Sequence, residues 1–403
     1  MSVEPRLDAW GVYVHVPFCP RRCTYCDFAI AVGKSAEERE RYVQAVLGEW
    51  QTEKLPAGEP LAVYLGGGTP SMLSPAQVEQ ILQAIRLRSG GLGVEVTLEV
   101  NPETVDPERL RGFRRAGVTR ISIGAQALQD HHLAAMHRGH RAADVALTVT
   151  WARAAGFDSI SVDAIYGWPG QTLGEWQETV RGIVAINPDH LSLYQLQVEP
   201  ATALSRMMKA QILQPVDLDL TADMADWAES YLIAEGYDRY EISSYARPGH
   251  SGQLNRLYWT MNAYVAVGMG AHSFNGTRRW WNVRAFPEYL ARISAGHDPE
   301  DGAESLPREA QMREYAWLGL RTVQGFSRSR FYDRFGQDPI EAFLPVWLNL
   351  NQNGLLAWNT DRIWLQPRGL DLANQVMAAL IDAAVMPPVS PLASSLRRAN
   401  LER

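Results

Sequence analysis

The stretch Tyr13–Val14–His15–Val16–Pro17–Phe18–Cys19–Pro20–Arg21–Arg22–Cys23–Thr24–Tyr25–Cys26 joins an apolar run, Val12–Val16, to a loop whose cysteines are spaced C-x3-C-x2-C. The run reads as a buried β-strand. Five more of its kind follow it: Leu61–Leu65, Val94–Val100, Arg120–Ile123, Ser159–Ile165 and His190–Gln197. Helix patterns lie between them. Ser74–Pro75–Ala76–Gln77 is a capping box with proline at the first helical position, ahead of Val78, Ile81, Leu82 and Ile85. Asp106–Pro107 opens a second helix carrying Leu110 and Phe113, and Thr172–Leu173–Gly174–Glu175 starts a third ahead of Trp176, Val180 and Ile183. Glu37–Trp50 and Arg141–Ala155 also have helical spacing. Strands and helices that alternate in this way predict an α/β fold with a parallel sheet and helical crossovers. Six strands are too few for a closed eight-stranded barrel, so the expectation is a partial (β/α)6 TIM-like barrel. Its sites should gather at the C-terminal ends of the strands.

The pattern changes after about Asp217. A helix is expected over Thr221–Gly236, which closes a core at residues 1–236. Residues 237–302 form an aromatic extension whose end, Pro287–Gly302, reads as a linker. Residues 303–386 read as a smaller, mainly helical module. Gly354–Leu355–Leu356, Arg362–Ile363–Trp364–Leu365 and Gly369–Leu370 suggest that it ends in a short hairpin, as in a winged helix. Residues 387–403, with Pro387, Val389, Ser390 and Pro391, read as a mobile tail.

Composition narrows the function classes. The 403 residues are 46% hydrophobic and 21% charged, ordinary values for a globular protein with a large core. A formal charge of −7 provides no electrostatic footprint for nucleic acid. No apolar run is long enough for a transmembrane segment, which leaves only peripheral contact with a membrane open. No secretory signal is visible. Three cysteines, all within eight residues, exclude a disulfide framework and suit a reducing, cytoplasmic compartment.

Three thiolates on one loop can hold an iron–sulfur cluster. A [4Fe–4S] cluster has four irons, and Cys19, Cys23 and Cys26 are the only cysteines in the chain. One iron is therefore left for a small molecule or solvent, and an open metal position is a reactive one. The residues also allow zinc held by the three cysteines and His15, although zinc sites favour paired C-x2-C spacings. Arg21 and Arg22 either form a solvated loop face or lower the thiol pKa values.

Leu65–Gly66–Gly67–Gly68–Thr69–Pro70 follows the second strand, and consecutive glycines let backbone N–H groups approach a ligand closely. Glu99 ends the third strand, where it can accept hydrogen bonds from a ribose. Gln126 follows the fourth strand, and Asp163 lies within the fifth. An acidic residue inside an apolar strand needs a partner when buried, and Arg138 is the candidate.

At this point the chain resembles the radical S-adenosylmethionine (SAM) superfamily, whose signature is C-x3-C-x2-C. The resemblance implies a six-stranded partial barrel in which SAM chelates the fourth iron through its amino and carboxylate groups. Tyr13–Cys19, Gly66–Pro70, Ile123–Gln126 and Asp163–Pro169 together resemble the oxygen-independent coproporphyrinogen III oxidase-like group, over nearly the whole chain. By that resemblance Tyr13, Gly67 and Glu99 contact the cluster-bound SAM. Gly68, Thr69, Gln126, Arg138 and Asp163 match positions around a second SAM.

Two details concern the branch. The group's dehydrogenases carry a further cysteine two residues after the third, and here that position is Phe28, as in the group's heme chaperones. The chaperones carry an H-N-x-x-Y-W motif linked to heme. This chain reads Leu254–Asn255–Arg256–Leu257–Tyr258–Trp259, which keeps Asn255, Tyr258 and Trp259 but not the histidine. His250 and His272 are the nearest alternatives as heme ligands, and Leu254→His is expected to strengthen heme binding. The resemblance thus implies a heme chaperone that binds SAM on its cluster and passes heme to an acceptor hemoprotein. A radical SAM oxidoreductase acting on a porphyrinogen and a non-catalytic metal-binding module are the alternatives.

Overall fold

The computed structural model describes residues 4–387. Its centre is a parallel sheet. Strands β1 (Trp10–Val16), β2 (Ala62–Gly67), β3 (Glu95–Val100), β4 (Arg120–Gln126), β5 (Ser159–Tyr166) and β6 (His190–Gln195) pair in that order, all parallel. The connections run through α1 (Ala36–Thr52), α2 (Pro75–Ser89), α3 (Pro107–Ala116), α4 (Asp130–Ala135) with α5 (Ala142–Ala155), and α6 (Leu173–Ala185). Three capping boxes, Ser35 with Glu38, Ser74 with Gln77 and Thr172 with Glu175, start α1, α2 and α6. Each satisfies two orphan backbone donors and so fixes where the chain turns from loop into helix. The core lies between sheet and helices. Val12, Val63, Ile121 and Val162 from the strands pack with Val46, Ile81, Leu110 and Trp176 from the helices.

The sheet does not stop at six strands. Residues 237–302, expected as an extension and linker, build both edges of it. Strands β7 (Asp238–Glu241) and β8 (Ser244–Ala246) continue antiparallel beyond β6. Strand β9 (Ala263–Val267) adds a seventh parallel strand on the free side of β1. Strands β10 (His272–Phe274), β11 (Arg278–Asn282) and β12 (Glu300–Ser305) follow it outward. The stretch 287–302 is therefore no linker. It holds most of a helix, Phe286–Ser294, and the start of β12.

By internal contacts the chain divides into two units. One comprises residues up to Leu257 with Asn262–Glu304, and the other Tyr258–Met261 with the residues from Ser305 on. The second unit packs helices such as Arg308–Gly319 and Leu344–Gln352 with a three-stranded antiparallel sheet of Phe326–Ser327, Arg362–Leu365 and Leu356–Trp358. Phe331, Phe343 and Trp347 fill its core. The tail expected beyond Pro387 lies outside the described residues. Among those described, no helix is long and apolar enough to cross a membrane.

Candidate cofactor site

The C-terminal ends of the parallel strands surround a cavity of about 520 Å³. Its lining brings together Cys19, Cys23, Cys26, Gly67, Gly68, Thr69, Glu99, Gln126, Arg138 and Asp163. Tyr13 stands behind this wall. Its ring stacks on Tyr64, and its hydroxyl lies 3.2 Å from Nδ1 of His15. Nε2 of His15 is 2.8 Å from the Ala29 carbonyl, which can only accept, so Nε2 carries the proton and Nδ1 accepts from Tyr13. Burial holds the pKa of His15 down at about 4, so the ring is neutral. Both ring nitrogens are thus engaged in bracing the far end of the cysteine loop, and neither is free for zinc.

The three sulfurs argue against a single ion in a second way. Among the described residues they do not gather within the 4.8 Å that would let one ion touch all three. A cluster needs no such convergence, because each thiolate binds a different iron. The residues around the sulfurs suit an iron–sulfur cluster: the Thr69 hydroxyl donates to Cys19 Sγ at 3.6 Å, and Arg138 Nη1 donates to Cys23 Sγ at 3.7 Å. Hydrogen bonds and charge at the sulfurs are the means by which a protein tunes such a cluster. Burial pushes the Cys19 thiol up to about 11 and the Cys26 thiol upward, so cluster assembly must displace protons here. The arginines of the loop do not reverse this. Arg21 pairs with Glu103 at 3.3 Å, and Arg22 bonds the Cys26 carbonyl. Arg138 is the cation hydrogen-bonded to a sulfur, while the charge of Arg22 lowers the Cys26 thiol without offsetting its burial.

Arg138 is also not the partner of Asp163. Its Nη2 donates to Asn101 Oδ1 and to the Gly124 carbonyl at 2.7 Å. Asp163 is satisfied by neighbouring serines, Ser122 Oγ at 2.8 Å and Ser161 Oγ at 3.3 Å. Burial raises its pKa, with the serine hydroxyls opposing. Asn101, which sequence reasoning passed over, connects the site: its amide donates to Thr69 at 2.9 Å while its carbonyl oxygen receives Arg138.

Glu99 anchors the glycine turn. Its carboxylate accepts from the Gly67 N–H at 3.0 Å and the Tyr64 hydroxyl at 2.8 Å. Burial carries its pKa to about 7. Gly67 has φ +113°, and a Cβ there would meet His15 Cε1 at 2.4 Å. Only glycine combines that backbone with a histidine packed beneath it. Gln126 takes a left-handed φ of 66° where the β4–β5 register shifts, a strained conformation for a side chain that lines the cavity.

The candidate heme residues do not form one group. His250 lies where the strands begin. Its carbonyl accepts from Arg120, the first residue of β4, at 2.8 Å, and the neighbouring Gln253 N–H donates to Glu95, the first residue of β3. The helix α7 (Gln253–Trp259), which carries Asn255, starts at this end, and Leu254 and Leu257 pack over Gly11 near the start of β1. Strands of six or seven residues put this end about 20 Å from the cavity. Tyr258 and Trp259 belong to the second unit, where the Arg321 guanidinium stacks on the Trp259 ring at 4.5 Å. His272 lies just beyond the C-terminal end of β9, at the same end of the sheet as the cavity but outside its lining. A Cβ on nearby Gly270 would meet Ala29 Cβ at 2.9 Å, and Arg284 donates to the Asp27 carbonyl at 2.9 Å. The His272 ring is exposed and stacked on Trp281.

Residues 13–183 match the family model of the radical SAM superfamily, and residues 306–372 match that of the HemN C-terminal domain. Among solved structures the chain is similar to coproporphyrinogen III oxidase (HemN) from Escherichia coli, a radical SAM enzyme, with a TM-score of 0.79 over 93% of this chain and 90% of that one. At 22% identity this likeness establishes the shared fold. The heme chaperone HemW of Bacillus subtilis is 31% identical over 92% of this chain and 99% of its own. That of Mycobacterium tuberculosis H37Rv is 35% identical over 92% and 95%. Identity at this level, sustained across nearly the full length of both proteins, makes this chain a member of the HemW family within the radical SAM superfamily.

Proposed function

We propose that this chain is a heme chaperone, which holds heme and passes it to an acceptor hemoprotein, and that Cys19, Cys23 and Cys26 carry a [4Fe–4S] cluster with SAM on its open iron. The observation that carries the reading is Phe28. Where the dehydrogenases of the group have a fourth cysteine, this chain has an apolar ring, 64% exposed, at the mouth of the cavity. The kinship with the HemW proteins supports the same branch. When bound, SAM supplies the fourth ligand to the cluster. Gly67 lets the backbone approach it, Glu99 fixes that turn, and Arg138 sets the charge beside the sulfurs. His272 is the better-positioned axial ligand for heme, because it is exposed at the same end of the sheet as the cavity, whereas His250 sits where the strands begin.

The test is an anaerobic heme titration of the cluster-loaded protein, with and without SAM. Saturable binding is expected, with the Soret band shifted by His272→Ala and not by His250→Ala. With SAM and reductant the protein should leave coproporphyrinogen III unconverted. No saturable heme binding, or formation of protoporphyrinogen IX over many turnovers by mass spectrometry, overturns the reading.

SAM itself has a separate expected signature. Adding it to the reduced protein should change the cluster's EPR signal, and Gly67→Val should prevent the change by forcing a Cβ into His15. A wild-type spectrum indifferent to SAM would rule out SAM on the open iron.

A further inference from the structure

One set of side chains outside the cavity converges as ligands to a single ion would. His131 and His132 lie in the first turn of α4, and Glu175 is the third residue of α6. Nε2 of His131 is 3.1 Å from Glu175 Oε1, and Nε2 of His132 is 3.5 Å from Oε2. The three candidate ligand atoms all lie within 4.8 Å of one another. Donors at zinc bond lengths on the corners of a tetrahedron stand about 3.3–3.6 Å apart, so each imidazole already stands at nearly this spacing from the carboxylate.

The second observation is His132 itself. It is only 4% exposed, and its buried Nε2 has no closer partner than Glu175 Oε2 at 3.5 Å, too long for a good hydrogen bond. A buried imidazole nitrogen so poorly paired is costly, and a metal ion between it and the carboxylate would satisfy it. The carboxylate is pre-oriented for the task. Its Oε2 accepts from Thr172 N and Oγ1, both at 2.9 Å, in the capping box, which turns Oε1 outward to His131. The exposed His131 leaves an entry path.

We propose that His131, His132 and Glu175 form a binding site for a divalent transition-metal ion, zinc above all, with three protein ligands and a fourth position open to solvent. Two imidazoles and a carboxylate are a donor set that suits zinc. The ion would tie the start of α4 to the start of α6. The other end of α4 supports the cysteine loop: Thr24 N and Oγ1 donate to the Met136 and Ala135 carbonyls at 3.2 and 3.1 Å.

The experiment uses the full chain with its cluster loaded, so that the cysteines cannot take the metal. Zinc is counted by elemental analysis after dialysis against buffered Zn2+, and its ligands are read by EXAFS at the zinc edge. One zinc per chain is expected, with scattering from two imidazoles. His131→Ala, His132→Ala and Glu175→Gln should each weaken binding roughly tenfold or more, since loss of even an outer partner of a ligand costs that much. His132→Ala risks the fold because the ring is buried. His131→Ala does not, and Glu175→Gln keeps the capping box. No zinc above the buffer level, undiminished zinc in His131→Ala, or sulfur-dominated EXAFS would overturn the proposal.

Discussion

Replacing Cys19, Cys23 or Cys26 singly by alanine should abolish the brown chromophore near 400 nm and take bound iron from about four per chain to near background. The size of the effect follows from ligand arithmetic. The cluster already leans on three thiolates with no fourth cysteine in the chain, and losing one leaves two irons without a protein ligand. His15 cannot substitute, because its nitrogens are held by Tyr13 and Ala29. The change is also small for the fold. Cys19 is buried but is replaced by a smaller side chain, and Cys23 and Cys26 are partly exposed. Circular dichroism should therefore stay that of the wild type while iron is lost. Full retention of four irons in any one variant would refute a three-cysteine cluster.

The parts of this site that depend on neighbours in the chain were legible in the sequence. The cysteine spacing, the glycine turn and the capping boxes at Ser74 and Thr172 are local codes: the boxes form at the two helix starts, and the cysteines and glycines line one cavity. What was hidden depends on pairing across long separations. Ala263–Val267 is an unremarkable apolar run until it lies against β1, some 250 residues earlier, and without that pairing the residues around it look like a linker. The partner of Asp163 was misread for the same reason. Serines from two neighbouring strands, Ser122 and Ser192, meet it across the sheet, and a pattern of charges cannot show hydroxyls arriving from β4 and β6. Arg138 is then free to turn to Asn101 and Cys23, a role that needs the loops after β3 and β4 in one place.

Leu254→His should destabilise the protein by about 2–5 kcal/mol and leave heme affinity no better, contrary to what the motif alone suggests. In the motif the first position is a heme-linked histidine. In this chain Leu254 is 2% exposed, and one of its methyl groups lies only 2.6 Å from where a Cβ on Gly11 would be. Gly11 and Leu254 are complementary: the missing side chain on the strand makes room for the leucine, and Leu257 fills the same hollow from the next turn. An imidazole there would bury two ring nitrogens among aliphatic groups, and it would sit where the strands begin, away from the cavity and from His272. A thermal melt and a heme titration on the same preparation check both halves of this expectation. If Leu254→His keeps the wild-type melting temperature and sharpens the Soret band, then the start of the barrel is a heme surface and His272 loses its claim. If the melting temperature falls while the titration is unchanged, Leu254 is part of the packing that seals the barrel.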